Sequence, residues 1–240
     1  MNHIIICFHQ EISAFFRLPD KTNYILQRRA GIKDIIEAHG VPHTEVGELL
    51  VNGLATGFDY IPCPGEEITV NPVQVPADVT RPTLLRPTPY PEVKFIADVN
   101  VGKLAILLRM LGQNTLWSNS YGDREIAALS AQERRIVLST DRGLLKRKEI
   151  VHGRLIRACN PDDQLREVAG LYSLDLSCIF SRCLKCNQIL EPIPKSKIIH
   201  RLKPRTRKFY DYFEICPGCE RIYWRGSHWE KMCTRIQNAG

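Results

Sequence analysis

The sequence predicts a protein of mixed α+β and α/β class, in which a small β-grasp sheet precedes an α/β unit with a mostly parallel sheet. Three observations support this fold class. Residues 1–72 read in the order β-β-α-β-β, and residues 72–91 contain six prolines. From residue 93 onward, short apolar runs alternate with helical patterns, and strands that are connected through helices pair in parallel.

The first unit combines four strand signals with one helix. Ile32, Ile35 and Ile36 recur at helical spacing, and Gly40 follows where a helix commonly ends. Asn52-Gly53 is a typical turn of a tight hairpin. The predicted strands are residues 4–8, 24–30, 49–51 and 68–70, and the predicted helix is residues 31–39. Such a sheet wrapped on one helix fits a β-grasp domain.

The proline-rich stretch separates the two units. Proline fixes φ and lacks a backbone N–H, so residues 73–92 are predicted to form an extended linker. The predicted domains are therefore residues 1–72 and residues 93–240.

The second unit opens with a strand that ends at Asp98 and a helix over residues 104–111 whose leucines share one face. A helix over residues 123–129 follows, and Ser130 to Glu133 has capping-box spacing that predicts a separate turn. Asn160-Pro161 opens the last helix, because Asn is a good cap and Pro suits the first helical position. The remaining predicted strands are residues 115–117, 135–141 and 155–159.

Charge is distributed unevenly along the chain. Residues 1–92 carry a net charge of −4 and residues 93–240 carry +11, which gives the total of +7. A strongly basic second unit predicts a polyanionic partner. No apolar run approaches the ~18 residues of a membrane span, and no signal peptide is recognisable. We therefore expect a cytoplasmic protein without a membrane partner.

Two aspartates stand at the ends of predicted parallel strands. Asp98 ends one strand, Asp141 ends another, and Asp123 begins a helix. Ligands bind beyond the carboxyl ends of such strands, and carboxylates that meet there repel each other unless a cation lies between them. The pattern predicts a Mg²⁺ or Mn²⁺ site that activates water for phosphodiester hydrolysis. The alternative is that these aspartates cap helices, above all Asp123.

Three further acidic residues are weaker candidates for that site. Glu125, Asp162 and Asp163 lie in the first turns of predicted helices. Acidic residues are expected there from the helix dipole alone.

Four of the nine cysteines form two CxxC pairs, Cys183/Cys186 and Cys216/Cys219. Four thiolates in two knuckles suit tetrahedral Zn²⁺ and leave no open position, so a structural zinc ribbon is predicted at about residues 180–225. The alternative is a set of free thiols. The gap of 29 residues between the pairs predicts an insertion.

Basic residues are concentrated in that insertion and beside Asp141. They neutralise phosphates, so we expect RNA contacts. The aromatic residues at 209–213 either stack on unpaired bases or pack inside the ribbon, and their alternation favours packing. The candidate RNA-binding residues are Arg142, Lys146, Arg147, Lys203, Arg205, Arg207 and Lys208.

Residues 93–235 resemble the Mut-seven C-terminal RNase family. The resemblance is carried by Phe95-Ile96-Ala97-Asp98, Gly102-Lys103-Leu104-Ala105, the run 108–112, Asp123 and the run 136–145. It implies a PIN-like nuclease fold with an embedded zinc ribbon, and metal-dependent RNA cleavage with Asp98, Asp123 and Asp141 in the acidic site.

Three positions refine this resemblance. The family usually has Arg where Ile106 stands and Arg where Thr140 stands, so two basic groups are missing. His228 matches a Gly-Ser-His tail of the family, which implies a phosphate contact; a packed structural histidine is the alternative.

Residues 1–72 resemble the ubiquitin-like sulfur-carrier proteins through the runs 40–46, 51–53 and 64–70. Those carriers end in a free Gly-Gly, whereas this chain has no glycine between Gly65 and Gly102. Sulfur transfer is therefore excluded, and binding of a protein partner or a scaffolding role is expected.

Three functions follow from these patterns. The first is a metal-dependent ribonuclease whose basic ribbon grips RNA, with structured RNA as one substrate. The second is an RNA-binding protein without catalysis, in which the β-grasp domain binds a protein partner. The third is a protein-interaction scaffold built on the β-grasp domain.

Overall fold

The structure is a computed structural model that describes residues 2–226, Trp229 and Met232. Its N-terminal part is a five-stranded sheet with the order β2-β1-β5-β3-β4, in which β1 and β5 are parallel. The predicted β-grasp fold is confirmed. The elements are β1 (His3–Phe8), α1 (Gln10–Phe16), β2 (Lys21–Ile25), α2 (Ile32–Ala38), β3 (Val46–Val51), β4 (Leu54–Ala55) and β5 (Glu67–Pro72).

Two details of this unit differ from the prediction. The second strand is β2 at residues 21–25 and not residues 24–30; it is an edge strand with three exposed residues, so it lacks an apolar signal. Helix α1 is an addition, and its two turns bury Ile12 and Phe16. The hairpin at Asn52-Gly53 forms as expected, with positive φ at both residues.

The C-terminal part contains a four-stranded, fully parallel sheet with the order β7-β6-β8-β9. The predicted capping box at Ser130 is wrong, because α4 runs through it and the buried Ser130 hydroxyl donates to the Arg135 carbonyl. The elements are β6 (Phe95–Ala97), α3 (Gly102–Met110), β7 (Thr115–Leu116), α4 (Asp123–Glu133), β8 (Ile136–Ser139), α5 (Arg142–Leu145), β9 (Gly153–Leu155) and α6 (Pro161–Tyr172).

The insertion between the CxxC pairs is partly helical. Its elements are β10 (Glu191–Pro192), α7 (Lys195–Ile198), α8 (Pro204–Phe209), β11 (Glu214–Ile215) and β12 (Ile222–Tyr223), of which the strands form a sheet in the order β10-β11-β12. Among the described residues, none of the helices has the length and apolar character to cross a bilayer.

The two faces of the parallel sheet are covered by different parts of the chain. Phe95 and Leu138 point to the face that packs against α3 and α6. Ile96 and Val137 point to the opposite face and belong to one apolar cluster with the β-grasp core, including Ile4. A parallel sheet is normally buried on both faces. Helices α4 and α5 cover this face with Ile126, Ala127, Leu144 and Leu145, and the β-grasp core continues the same cluster.

A buried carboxylate joins the two units at the edge of β9. Glu45 is 3% exposed and lies in a short 3-10 helix, His43–Glu45. Its oxygens accept from Arg154 at 3.0 Å, from Arg157 at 3.1 Å and from the Leu155 amide at 2.8 Å. Three charge-assisted or backbone bonds to one carboxylate fix the angle between the units.

The predicted linker is clamped in this junction. Residues 73–92 contain no helix or strand, as expected, but Arg86 is buried and donates to the carbonyls of Val46, His43, Thr44 and Val151 at 2.9–3.2 Å. Burial lowers the pKa of Arg86. Residues 73–92 thus contact both units through Arg86. The domain boundaries at residues 72 and 92 stay a prediction.

We predict that Glu45→Ala lowers the free energy of unfolding by about 3–5 kcal/mol, because it leaves Arg154 and Arg157 without their shared buried partner. Urea unfolding monitored by circular dichroism measures the change. Glu48→Ala is the matched control, since Glu48 is an exposed neighbour bonded only to Asn71 among the described residues. A loss for Glu45→Ala no larger than for the control contradicts the role of Glu45.

Candidate active site and metal centre

Asp98 is held rigidly at the carboxyl end of β6. It is 3% exposed. Its Oδ1 accepts from the Val99 amide at 2.6 Å, and its Oδ2 accepts from the Ser139 hydroxyl at 2.8 Å and from the Asn100 amide group at 3.2 Å. The side chain thus caps the 3-10 helix Val99–Val101, and both of its oxygens have a fixed direction.

Asp141 follows β8, the strand beside β6. Its backbone amide donates to Ser139 Oγ at 2.8 Å, and its Oδ1 accepts from the Gly143 amide at 2.6 Å as the N-cap of α5. Asp141 is exposed, and its Oδ2 accepts no hydrogen bond from the described part of the chain. One hydroxyl, that of Ser139, therefore connects the Asp98 carboxylate to the main chain of Asp141.

Asp123 follows β7, the strand on the other side of β6. Gly122 and not Asp123 occupies the N-cap of α4, and no side chain caps this helix. The capping interpretation is therefore wrong for Asp123 and correct for Asp98 and Asp141. Asp123 is exposed at the first position of the helix. The three aspartates follow three adjacent parallel strands, at the same edge of the sheet.

The three carboxylates do not form a closed set of ligands. Among the described residues, the only group of three or more candidate ligand atoms within 4.8 Å of one another consists of cysteines. Mg²⁺ keeps several waters and commonly uses one or two carboxylates together with substrate phosphates. The donor chemistry at this edge fits a hydrated ion better than a cage of three carboxylates.

The weaker acidic candidates lie in the first turns of helices α4 and α6. Glu125 is exposed in the first turn of α4. Asp162 and Asp163 lie in the first turn of α6, where Asp163 pairs with Arg166. His228 lies outside the described residues.

The β-grasp unit forms one wall beside Asp141. The Arg142 guanidinium carbon lies 4.8 Å from the ring centre of Phe16 and 5.9 Å from that of Phe15, both on α1. Arg157 lies 4.2 Å from the Phe15 ring centre. Cation–π contacts of this kind contribute about 0.5–1 kcal/mol at exposed sites. They orient two cations along the edge of the sheet that carries the aspartates.

The other two cations predicted beside Asp141 also have partners. The Lys146 ammonium donates to the Glu37 carbonyl of α2 at 2.5 Å, and Arg147 pairs with Glu149 at 3.5 Å. Lys146 is therefore part of the contact between the two units.

The four cysteines of the CxxC pairs come together as predicted. Cys183 and Cys216 are buried, and the Sγ–Sγ distances are 3.5 Å for Cys183–Cys219 and 3.2 Å for Cys186–Cys216. Tetrahedral zinc with Zn–S bonds of about 2.3 Å needs sulfurs about 3.8 Å apart. The cluster fits a structural zinc ion after a small expansion.

The thiols of the cluster differ in pKa: hydrogen bonds favour the thiolate of Cys183, whereas burial raises the pKa of Cys186 and of Cys219. Burial raises the pKa of Cys183, but the Tyr223 hydroxyl and the backbone amides of Cys186 and Lys185 outweigh that effect and lower its pKa to about 6. The Tyr223 hydroxyl lies 3.1 Å from Cys183 Sγ. Zinc binds the deprotonated form, so these donors prepare the ligand.

Arg109 connects the four-cysteine ribbon to the parallel sheet, a contact that was not predicted from the sequence. Its side chain is fully buried and donates to the carbonyls of Leu184 and Lys185 in the first knuckle and of Thr115 in β7, at 2.8–2.9 Å. Asn187 adds a bond to the Thr115 amide at 3.0 Å. The sequence did contain one signal for a buried role of Arg109, because it is a charged residue on the leucine-rich face of α3.

The basic residues of the insertion are of two kinds: some form hydrogen bonds or ion pairs within the chain, and others are exposed without an ion pair among the described residues. Arg207 donates to the Ile199 carbonyl at 2.7 Å, which holds the insertion together. Lys203, Arg205 and Lys208 are exposed and have no ion pair within the described ranges. Of the aromatic residues, Phe213 is buried as expected, but Phe209 and Tyr212 are exposed, so the packing prediction is wrong for these two.

Comparison with known families gives two matches. A model described as Mut7-C ubiquitin matches residues 1–78, and a model described as Mut7-C RNAse domain matches residues 93–236. Searches among curated proteins and among solved structures gave no significant match.

We predict that the purified protein binds one zinc ion per chain and that Cys216→Ser loses it, because three thiolates leave the tetrahedral site incomplete. Elemental analysis by mass spectrometry measures the ratio. Cys159→Ser, at an exposed cysteine outside the cluster, is the matched control and keeps the metal. Equal zinc content in both variants contradicts the four-cysteine site.

Proposed function

Because this chain belongs to the Mut7-C RNAse domain family, we propose that it is a metal-dependent ribonuclease with a PIN-like site that hydrolyses RNA phosphodiester bonds. The observation that carries this proposal is the Ser139 bridge. It couples Asp98 and Asp141 at the carboxyl ends of neighbouring parallel strands, where α/β proteins bind their ligands.

The aspartates have different tasks in this proposal. Asp98 is immobile, so it offers a fixed negative charge that needs no reorganisation when substrate binds. Asp141 presents Oδ2 to solvent and is the second ligand. Asp123 lies across β6 and contacts water or the metal through its exposed carboxylate. A bound Mg²⁺ or Mn²⁺ supplies a Lewis acid for the phosphate and lowers the pKa of the attacking water.

The remaining parts of the chain position RNA. The four cysteines hold a structural zinc, and Arg109 ties the zinc knuckle to β7 beside the site. The exposed cations of the insertion and Arg142 neutralise phosphates along the path to the aspartates. The β-grasp unit acts mainly as scaffold, because its core is continuous with the apolar cluster on one face of the sheet and its helix α1 orients Arg142. A protein partner on its outer surface and a cytoplasmic location belong to the same proposal.

A non-catalytic RNA-binding protein is the second candidate. The observation that favours it is the spacing of the three carboxylates, which do not lie within 4.8 Å of one another as a group. Metal-dependent cleavage distinguishes the two functions.

We predict that Asp98→Asn and Asp141→Asn each reduce Mn²⁺-dependent cleavage of total RNA by at least ~100-fold, because each removes a charge that faces the metal and the developing negative charge. Gel analysis of RNA with added Mn²⁺ measures the rate. Asp59→Asn, an exposed aspartate of the β-grasp unit, is the control and cleaves as wild type does. If wild type cuts no RNA with either metal ion, the binding function replaces the nuclease.

We predict that Ser139→Ala slows cleavage by about tenfold and raises the Mn²⁺ concentration needed for half-maximal rate, since Asp98 loses one donor that orients its Oδ2. Ser139→Thr keeps the hydroxyl and restores both values. Metal titrations of the cleavage rate measure the effect. Equal metal dependence in Ser139→Ala and wild type would remove Ser139 from the site.

A further inference from the structure

Two large aromatic side chains of the zinc ribbon face solvent. Phe209 ends α8 and is 67% exposed, and Tyr212, in the stretch before β11, is 54% exposed. Their neighbour Phe213 is 1% exposed and forms part of a small apolar cluster with Ile198 and Leu202. The ribbon therefore packs Phe213 and the partly buried Tyr210 against its core and leaves Phe209 and Tyr212 outside.

A cation lies over each of the exposed rings. The Lys208 ammonium is 5.5 Å from the Phe209 ring centre, and the Arg225 guanidinium carbon is 5.8 Å from that of Tyr212. Tyr212 and Arg225 continue the antiparallel register in which Glu214 faces Tyr223. An aromatic face beside a cation matches one nucleotide, because the ring stacks on a base and the cation binds the adjacent phosphate.

The charge around the rings suits a polyanion. Residues 195–208 contain seven Lys and Arg and no acidic residue. Three acidic residues lie near these basic residues, and two of them form ion pairs. Asp211 pairs with Lys195 at 2.7 Å, and Glu220 lies 3.9 Å from Arg201. The third, Glu214, lies 3.4 Å from the Tyr212 hydroxyl, at the rim of that ring.

We propose that Phe209 and Tyr212 form a stacking platform that binds an unpaired segment of RNA, with Lys208 and Arg225 on its phosphates. The proposal rests on the proposed ribonuclease function and narrows its substrate to RNA with a single-stranded stretch. A base offers its face to a protein ring only when it has left the duplex. Three residues of chain span at most ~10 Å, so the two rings serve neighbouring nucleotides of one strand.

Binding assays on the full-length chain test the platform. Asp141→Asn serves as the parent, because it prevents cutting and Asn retains the capping oxygen at this exposed position. In that background, Phe209→Ala and Tyr212→Ala are each expected to weaken binding of a labelled single-stranded oligouridylate by roughly tenfold or more. Affinity for a duplex RNA of equal length stays within about twofold. Fluorescence anisotropy measures both affinities.

Two controls separate stacking from loss of surface or charge. Ile189→Ala removes an exposed apolar side chain elsewhere on the ribbon and leaves binding unchanged. The dependence of binding on salt concentration also stays the same in the aromatic variants, since no cation is removed. Parent-like affinity of both aromatic variants for the single strand, or an equal loss on the duplex, overturns the platform.

The platform and the ribonuclease can fail separately. If wild type does not cut the single strand but the aromatic variants lose affinity for it, the platform stands and the nuclease proposal fails. If wild type cuts it and the aromatic variants bind as the parent does, the nuclease stands and the platform is overturned.

Discussion

The structure depends on burying both faces of a short parallel sheet. Ile96 and Val137 alternate with side chains that face α3 and α6, so they need cover from elsewhere. Helices α4 and α5 provide it together with the β-grasp core, in one apolar cluster. Each such fully buried side chain contributes about 1.5–3 kcal/mol. Glu45 and Arg86 then fix the orientation of that cover through buried polar contacts. The core of the front unit is accordingly continuous with that of the back unit on this face.

This arrangement also determines what surrounds the candidate site. In the β-grasp unit, α1 lies beside the carboxyl edge, where Phe15 and Phe16 orient Arg142 and Arg157. Arg109 ties the zinc knuckle to β7 on the other side of Asp98. The aspartates thus lie between two rigid supports, each joined to the sheet through a buried or half-buried arginine. The acidic front unit brings its aromatic rings and carbonyl groups to the basic back unit at this junction.

Strands, turns and the cysteine cluster could be predicted from the sequence, because each depends on the spacing of residues in a short motif. The apolar runs before Asp98 and Asp141, the Asn52-Gly53 turn and the paired CxxC motifs each determine a structure within a few residues. Glu45 and Arg86 could not be predicted, because their partners are mostly backbone carbonyls or arginines distant in the chain. The exposure of Phe209 and Tyr212 was not predicted either. The alternation of the aromatic residues is typical of a strand, whereas residues 204–209 form helix α8. Helix capping by Asp98 and Asp141 was predicted from the sequence only as an alternative to metal binding. The two roles are compatible, because each carboxylate has enough oxygen lone pairs to accept the capping hydrogen bond and to bind a metal ion.

The central claim is that a divalent cation binds between Asp98 and Asp141, and anomalous scattering tests it most directly. Crystals grown with Mn²⁺ and measured on both sides of the manganese absorption edge locate the ion without reference to activity. We expect a manganese peak that contacts both carboxylates at the carboxyl edge of β6 and β8. A crystal of active protein with manganese bound elsewhere, and none at this edge, would contradict it.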